Sequence, residues 1–187
     1  GDADAMLCGL EGRFRTRLNM IRDVIGLAPG ARNFSALSLL VTSRGHYFIA
    51  DTHVRQNPTA LEIAEMTVKC AEHVRRFGMT PKVALIADSD FGSDDSPSAL
   101  KMREALALVH ALNPALEIDG EMQADTALSQ TIRDRVLATS TLKGKANVLI
   151  LPDLTSANIA FQMVKVLADA LPVGPILMGA AKPAHIL

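Results

Sequence analysis

From Asn57 to Met178 the sequence alternates short apolar runs with longer amphipathic stretches, and this alternation limits the fold more than any other feature. Val83 to Ala87, Leu116 to Met122, Val148 to Leu151 and Pro175 to Met178 read as strands, the first of them apolar throughout, as expected of a strand covered on both faces. The stretches between them read as helices. The first starts at Asn57 and Pro58, or at Thr59 with Glu62 as a capping box, and places Leu61, Ala64, Val68, Ala71 and Val74 at three- and four-residue steps. Gly78 and Pro81 stop it. Ser96 and Pro97 open a second helix to about Leu112, Asp125 caps a third to about Ala138, and Ser156 caps a fourth to about Leu171. Strands alternating with helices through short loops predict an α/β fold: a mostly parallel sheet, right-handed crossovers and helices on both faces.

The segment before Asn57 reads differently. Phe34 to Thr42 and His46 to Asp51 flank Ser43, Arg44 and Gly45, which predicts an antiparallel hairpin added to that sheet. Met6 to Cys8, closed by Gly9, suggests a short strand, and Glu11 to Ile25 a basic amphipathic helix ending at Gly26. No internal repeat, low-complexity stretch or long linker interrupts the chain.

Composition narrows the function. At 187 residues, 49% of them hydrophobic, the chain can bury a real core. Its 19 basic and 20 acidic residues leave no electrostatic footprint for nucleic acid, and 4% aromatics with no Trp leave few platforms for stacking bases. No apolar run approaches the ~18 residues of a membrane span, and no signal segment opens the chain, so no membrane partner and a cytoplasmic location are expected. Cys8 and Cys70 stand alone, as buried thiols would. A start at Gly1 and a stop directly after a Lys-Pro turn read as part of something longer.

In open α/β sheets ligands gather beyond the carboxyl ends of the strands, where helix N-termini with unpaired N–H groups converge. Four loops meet that rule: Asp88 to Ser96, Asp119 to Asp125, Pro152 to Asn158 and Gly179 to Lys182. In the first, Ser89, Gly92, Ser93 and Ser96 precede a helix and could cradle a phosphate or carboxylate. Asp88, Asp90, Asp94 and Asp95 argue for a divalent metal instead, or for a solvated loop of turn formers and caps. Asp153, Ser156 and Asn158 are rim candidates or plain caps; Lys182 could present a cation to the same rim or sit in solvent. Arg32 with Ser35 is a second anion candidate, equally readable as a solvated arginine. Histidines 46, 53, 73, 110 and 185 show no metal-ligand spacing, and neither a dinucleotide fingerprint, a P-loop nor a catalytic triad can be assembled. No metal site and no catalytic residue are assigned.

Longer blocks carry a resemblance. GKANVLILPDL ending at Leu154, Asn158 with Ile159, GPILMGAAKP from Gly174, NPTALEIAE from Asn57 and LEIDGEMQ from Leu116 resemble the phosphate acetyltransferase (phosphotransacetylase) family in order and spacing. DVIGLAPG from Asp23, Ala50 to Thr52, HVRRFG from His73, Phe91 to Ser93, SPSALKMR from Ser96 and KPAHIL from Lys182 are closer to the C-terminal domain of large bacterial NADP-dependent malic enzymes.

The resemblance implies one lobe of a two-lobed fold of the isocitrate/isopropylmalate dehydrogenase kind. Residues 1–30 would form the seam with the other lobe, and residues 31–187 the α/β lobe itself. It implies a regulatory and oligomerisation domain that senses acetyl-CoA or a related acyl-CoA, in a self-associating, dimeric protein; the rim candidates Arg32, Ser35, Ser89, Gly92, Ser93, Ser96, Asp153, Asn158 and Lys182 would then be its acyl-CoA or anion contacts. NADP and a divalent Mg or Mn ion would belong to the malate-oxidising part of the parent, with no cofactor in this stretch. Two departures matter. Acetyltransferases of the family carry Asn and Asp at the positions of His185 and Ile186, followed by a Ser-Arg pair essential to acyl transfer, so His185 and Ile186 imply a lobe without that reaction. Malic-enzyme relatives tend to have His and Asn where this chain has Asp88 and Asp90. The alternative is an active phosphate acetyltransferase making acetyl-CoA from acetyl phosphate and CoA.

Overall fold

Apolar residues on alternate positions of the strands send side chains to two opposite faces, and the chain covers both. The computed structural model describes residues 4–187. The elements, in chain order, are β1 (Met6–Cys8), α1 (Phe14–Val24), β2 (Ser35–Thr42), β3 (Gly45–Ala50), α2 (Ala60–Arg76), β4 (Val83–Ile86), α3 (Pro97–Leu112), β5 (Ile118–Met122), α4 (Ala124–Leu128), α5 (Gln130–Val136), β6 (Val148–Ile150), α6 (Leu154–Leu167), β7 (Leu171–Met178) and β8 (Ala184–Ile186). Six strands form one sheet in the order β5-β4-β6-β3-β2-β7.

The pairs β5/β4, β4/β6 and β6/β3 are parallel, and β2 pairs antiparallel with both β3 and β7. The α/β class, the mostly parallel sheet and the hairpin therefore hold. The neighbour of β7 differs from the expectation: it does not extend the parallel ladder but closes the far edge against β2. Because β2 is the one reversed strand, β7 still points the same way as β3, β4, β5 and β6. All five carboxyl ends reach one rim, and the amino end of β2 meets them there.

Leu37, Leu39, Phe48, Ala50, Val83, Leu85, Val148 and Ile150 pack on one face with α2 and α3. Leu40, Ile49, Ala84, Ile86 and Leu149 pack on the other with Ala127 of α4 and with Ala157 and Phe161 of α6. A third cluster joins Leu18 and Ile21 of α1 to Phe34, Leu177, Ala184 and Ile186.

Thr59 and Glu62 cap α2 reciprocally, as the box predicts. Three boundaries need correction. The helix expected from Asp125 to Ala138 breaks in two at Ser129, whose hydroxyl accepts from the Ile132 N–H and starts α5. The cap of α6 is Asp153, not Ser156: the Asp153 carboxylate accepts the Ser156 N–H at 2.8 Å. That helix ends at Leu167, and β7 begins at Leu171, ahead of Pro175. The last strand was unforeseen: β8 pairs parallel with β1, Met6 against Ala184 through Cys8 against Ile186. Of the seam segment expected over residues 1–30, residues 1–3 lie outside the described residues. No helix of the described residues is long and apolar enough to cross a membrane.

Candidate functional site at the carboxyl rim

The loop after β4 is organised by a buried acid. Glu121, near the end of β5, is fully buried, and its Oε1 accepts from the Ser89 hydroxyl and the Gly92 N–H, both at 2.8 Å. Its Oε2 makes no hydrogen bond among the described residues and faces Arg103, whose Nε lies 3.7 Å away. Ser93 accepts from the Asp90 N–H, and Asp90 in turn accepts from the Gln123 N–H at 2.8 Å. Ser96 is the cap of α3 and donates to Asp88, as does Ser98; these two hydroxyls hold the Asp88 carboxyl below its ordinary value. Arg103 pairs with Asp95. The four aspartates are thus met by hydroxyls, backbone N–H groups and one arginine, and the donors of Ser89 and Gly92 are directed at Glu121. Among the described residues no three His, Cys, Asp or Glu side chains come together to hold a metal ion.

The loop after β3 is built on a second acid. Asp51 is 2% exposed, and its carboxylate accepts four backbone N–H groups, those of Ala36, His53, Val54 and Arg55, at 3.0–3.2 Å. Burial raises its pKa, and those four bonds oppose the rise. Beside it, the Thr52 hydroxyl lies 2.7 Å from the Ser38 hydroxyl and 2.9 Å from Nδ1 of His53. His53 packs its ring on Phe14, with centroids 5.2 Å apart, and burial lowers its pKa. Asn158 donates to the Thr52 carbonyl, and Thr52, His53, Leu154, Thr155, Asn158 and Ile159 line an open groove at the start of α6. Lys101 reaches across this rim to the Asn57 side chain and the Pro152 carbonyl, at 2.8 and 2.7 Å, and burial lowers its pKa.

A neighbouring groove carries the positive charge. Arg15, Asn19 and Arg22, one turn apart along α1, line it together with Asn33, Phe34 and Arg55. Arg22 stacks over the Phe34 ring at 5.6 Å, while Arg55 donates to Asn33 and pairs with Glu62. Gly179 lets β7 end against this rim: a Cβ there would stand 2.6 Å from the Asn33 carbonyl oxygen.

The sequence candidates therefore separate. Ser89, Gly92, Ser93 and Ser96 share one loop, folded on Glu121; Asp153 and Asn158 share the start of α6. Arg32 pairs with Glu65 of α2 at 3.3 Å, Ser35 is buried at the start of β2, and Lys182 is exposed beyond β7. Asp51, Thr52, His53, Arg55, Glu121 and the α1 arginines were missed. A signal existed for the first three: polar residues stand directly after the apolar end of β3, which is also a carboxyl end at the rim. His185 accepts the Leu177 N–H at Nδ1, and Ile186 is 1% exposed within the third apolar cluster. The departure at Ile186 thus fills a core position.

This geometry can be set against known proteins. A family model described as phosphate acetyl/butaryl transferase matches residues 1–187. The chain belongs to that family. It is 53% identical over 187 residues to the NAD-dependent malic enzyme of Rhizobium meliloti (strain 1021), covering 100% of this chain and 24% of that protein. With the NADP-dependent malic enzyme of Haemophilus influenzae it shares 49% identity over 187 residues, 100% of this chain and 25% of that one. The phosphate acetyltransferase of Paracoccus denitrificans is 39% identical over 194 residues, 100% of this chain and 61% of that protein. A solved phosphotransacetylase from Streptococcus pyogenes superposes with a TM-score of 0.94 at 33% identity, over 99% of this chain and 57% of that one. The chain spans about a quarter of the length of the malic enzymes it matches, in their C-terminal part.

Proposed function

We propose that this phosphotransacetylase-like lobe is the acyl-CoA-responsive regulatory and oligomerisation domain of a cytoplasmic, oxaloacetate-decarboxylating malic enzyme, and that it does not itself transfer acetyl groups. One observation carries the reading: the whole chain matches the C-terminal part of a malic enzyme at 53% identity, against 39% for a phosphate acetyltransferase. The acyl-CoA part is supported by the names of the family relatives and by the groove of Arg15, Arg22 and Arg55, whose guanidiniums suit the phosphates of a nucleotide thioester. Ile186 supports the loss of transfer, since it puts an apolar core residue where the acetyltransferases of the family carry Asp.

NADP and the divalent Mg or Mn ion are assigned to the part of the parent outside this chain. That assignment draws support from the donor set: no three His, Cys, Asp or Glu side chains come together among the described residues, and the sequence lacks a glycine-rich dinucleotide fingerprint.

Calorimetry of the intact parent with acetyl-CoA, paired with malate turnover, tests the reading. Binding together with a changed rate is expected; no binding and no rate change would remove the sensing role. Allostery requires an effector with different affinities for two states, so the rate measurement is essential.

The second reading is an active phosphate acetyltransferase, favoured by the 0.94 superposition on the S. pyogenes enzyme. It requires acetyl-CoA formation from acetyl phosphate and CoA, and a Ser-Arg pair encoded directly after Leu187.

A further inference from the structure

The amine of Lys101 stands where the carboxyl rim opens. In the strand order β4-β6-β3, the helices after β4 and β3 pack on one face of the sheet and the helix after β6 on the other. Helices leaving to opposite faces open a crevice above the strand ends, where α/β sheets bind ligands. Lys101 reaches from α3 over the end of β6, and its Nζ donates to Asn57 Oδ1 at 2.8 Å and to the Pro152 carbonyl at 2.7 Å. These two acceptors belong to the segments that carry Thr52, His53 and Leu154 to the open groove.

The partners of Nζ fit an uncharged amine. An ammonium has three donors; a neutral amine has two, and a lone pair. Both acceptors are neutral oxygens, and no third acceptor meets Nζ among the described residues. No carboxylate of the described residues pairs with it, Asp153 being turned to the Ser156 N–H. Losing a proton therefore costs Nζ neither of its bonds and frees the lone pair. Partial burial favours that loss, lowering the Lys101 pKa against the attraction of Asp153. A lysine whose charge is disfavoured by its surroundings is a nucleophile near neutral pH. Lys82, by contrast, pairs with Glu117, and Lys182 is exposed.

We infer that Lys101 accepts an acyl group from an acyl thioester of the acetyl-CoA class, and that the amide so formed releases the loop after β3 from the loop after β6. The Nζ lone pair attacks the thioester carbonyl carbon, a C–N bond forms, the C–S bond breaks and the sulfur leaves as thiolate. The surplus proton on nitrogen passes through water to that thiolate, so the products are the lysine amide and the free thiol. The amide keeps one N–H and no charge, and cannot hold both Asn57 and Pro152. The inference rests on the acyl-CoA part of the reading above and gives that ligand a covalent consequence beside the groove.

The experiment incubates the intact parent with acetyl-CoA and follows acetylated peptides by mass spectrometry over time, in folded protein and in protein unfolded in urea. Folded Lys101 is expected to gain its acetyl group roughly tenfold faster than Lys182, and the preference should vanish in urea. Lys101 reacting no faster than Lys182, or a preference that survives unfolding, overturns the inference. Hydrogen exchange of the peptide holding the Leu154 N–H, which donates to the Gln56 carbonyl, reads the release. Exchange should quicken in the acetylated protein and in K101M, and stay near the wild-type rate in K101R, whose guanidinium can donate to both oxygens. Acetylation with unchanged exchange overturns the release. The sensing role is decided apart from this: calorimetric binding with a changed malate rate but no acetyl on Lys101 keeps that role and overturns this inference, whereas acetylation without calorimetric binding or a rate change does the reverse.

Discussion

The backbone N–H of Gly92 donates at 2.8 Å to Oε1 of Glu121, an oxygen with no access to solvent, so a surface loop hangs from the end of a strand by a buried carboxylate. The Ser89 hydroxyl shares that acceptor.

Glu121→Ala strands both donors and leaves Arg103 without its nearest buried charge. Hydrogen bonds to a charged group are worth about 1.5–3 kcal/mol each, so a loss near 3 kcal/mol is expected. Glu121→Gln keeps an acceptor and should lose about half as much. Urea unfolding with an unchanged m-value reads both; equal losses for the two variants would contradict the role of the charge.

Asp51 gives the chain a pH signature. Burial holds its folded pKa above the ordinary 3.8, against four N–H bonds that pull it down. The folded state then binds a proton more tightly than the unfolded state, so the associated stability is complete below the unfolded pKa and is lost as pH rises through the folded one. Glu62 works in the other sense: it is held low, first by its hydrogen bond from Arg55, and its contribution is lost as pH falls. Comparing wild type with Asp51→Asn isolates the first effect. Asp51→Asn also turns one acceptor into a donor facing the Arg55 N–H, so it should be less stable throughout, by about 2 kcal/mol. The gap should narrow as pH rises from about 4 to 7, where only the wild-type residue titrates. A gap that widens over that interval would refute the upward shift.

Ile186 sits in an apolar cluster with Leu18, Ile21, Phe34 and Leu177. Ile186→Asp should cost about 4 kcal/mol at neutral pH, the scale of an uncompensated buried charge, whereas Ile186→Val should cost about 1 kcal/mol. Thermal unfolding of the two variants distinguishes a core position from a solvated one, where both would be nearly silent.

Arg133 is fully buried and has no carboxylate partner among the described residues; its Nη1 donates to the carbonyls of Thr126 and Ala127, and its Nη2 to those of Leu142 and Gly144. It ties the end of α4 to the loop before β6. Arg133→Met removes all four of these donated bonds and should cost about 3–5 kcal/mol, and Arg133→Lys should recover only part, because a point charge cannot reach two pairs of oxygens. Hydrogen exchange should show the loosening first at the Ala146 N–H, which donates to the Ala127 carbonyl.

What local chemistry decides was legible. The Thr59–Glu62 box, the Ser96-Pro97 start of α3 and the turn over Ser43, Arg44 and Gly45 all depend on residues within a few positions of one another; the structure has the first two as read and closes the hairpin on Ser43 and Arg44, with Gly45 already in β3. Distance along the chain defeated the rest. The β1–β8 pair joins residues about 178 apart through three rungs, too short for a periodic signal. The site carboxylates escaped for the opposite reason: Glu121 lies inside a strand and Asp51 at the end of one, where an acid reads as a solvated residue until the donors converging on it are known. Asp153 and Ser156 both had the chemistry of a cap, and only the backbone shows that Asp153 has the extended conformation that a cap requires.

The parallel clasp of β1 with β8 brings Met6 beside Ala184 and Cys8 beside Ile186, so nearly the entire lobe is a single closed circuit. A circular permutant cut at the exposed Ser43–Arg44 turn would keep every rung of the six-stranded sheet, but because β1 and β8 run parallel its new link must travel back along the clasp and needs about a dozen residues.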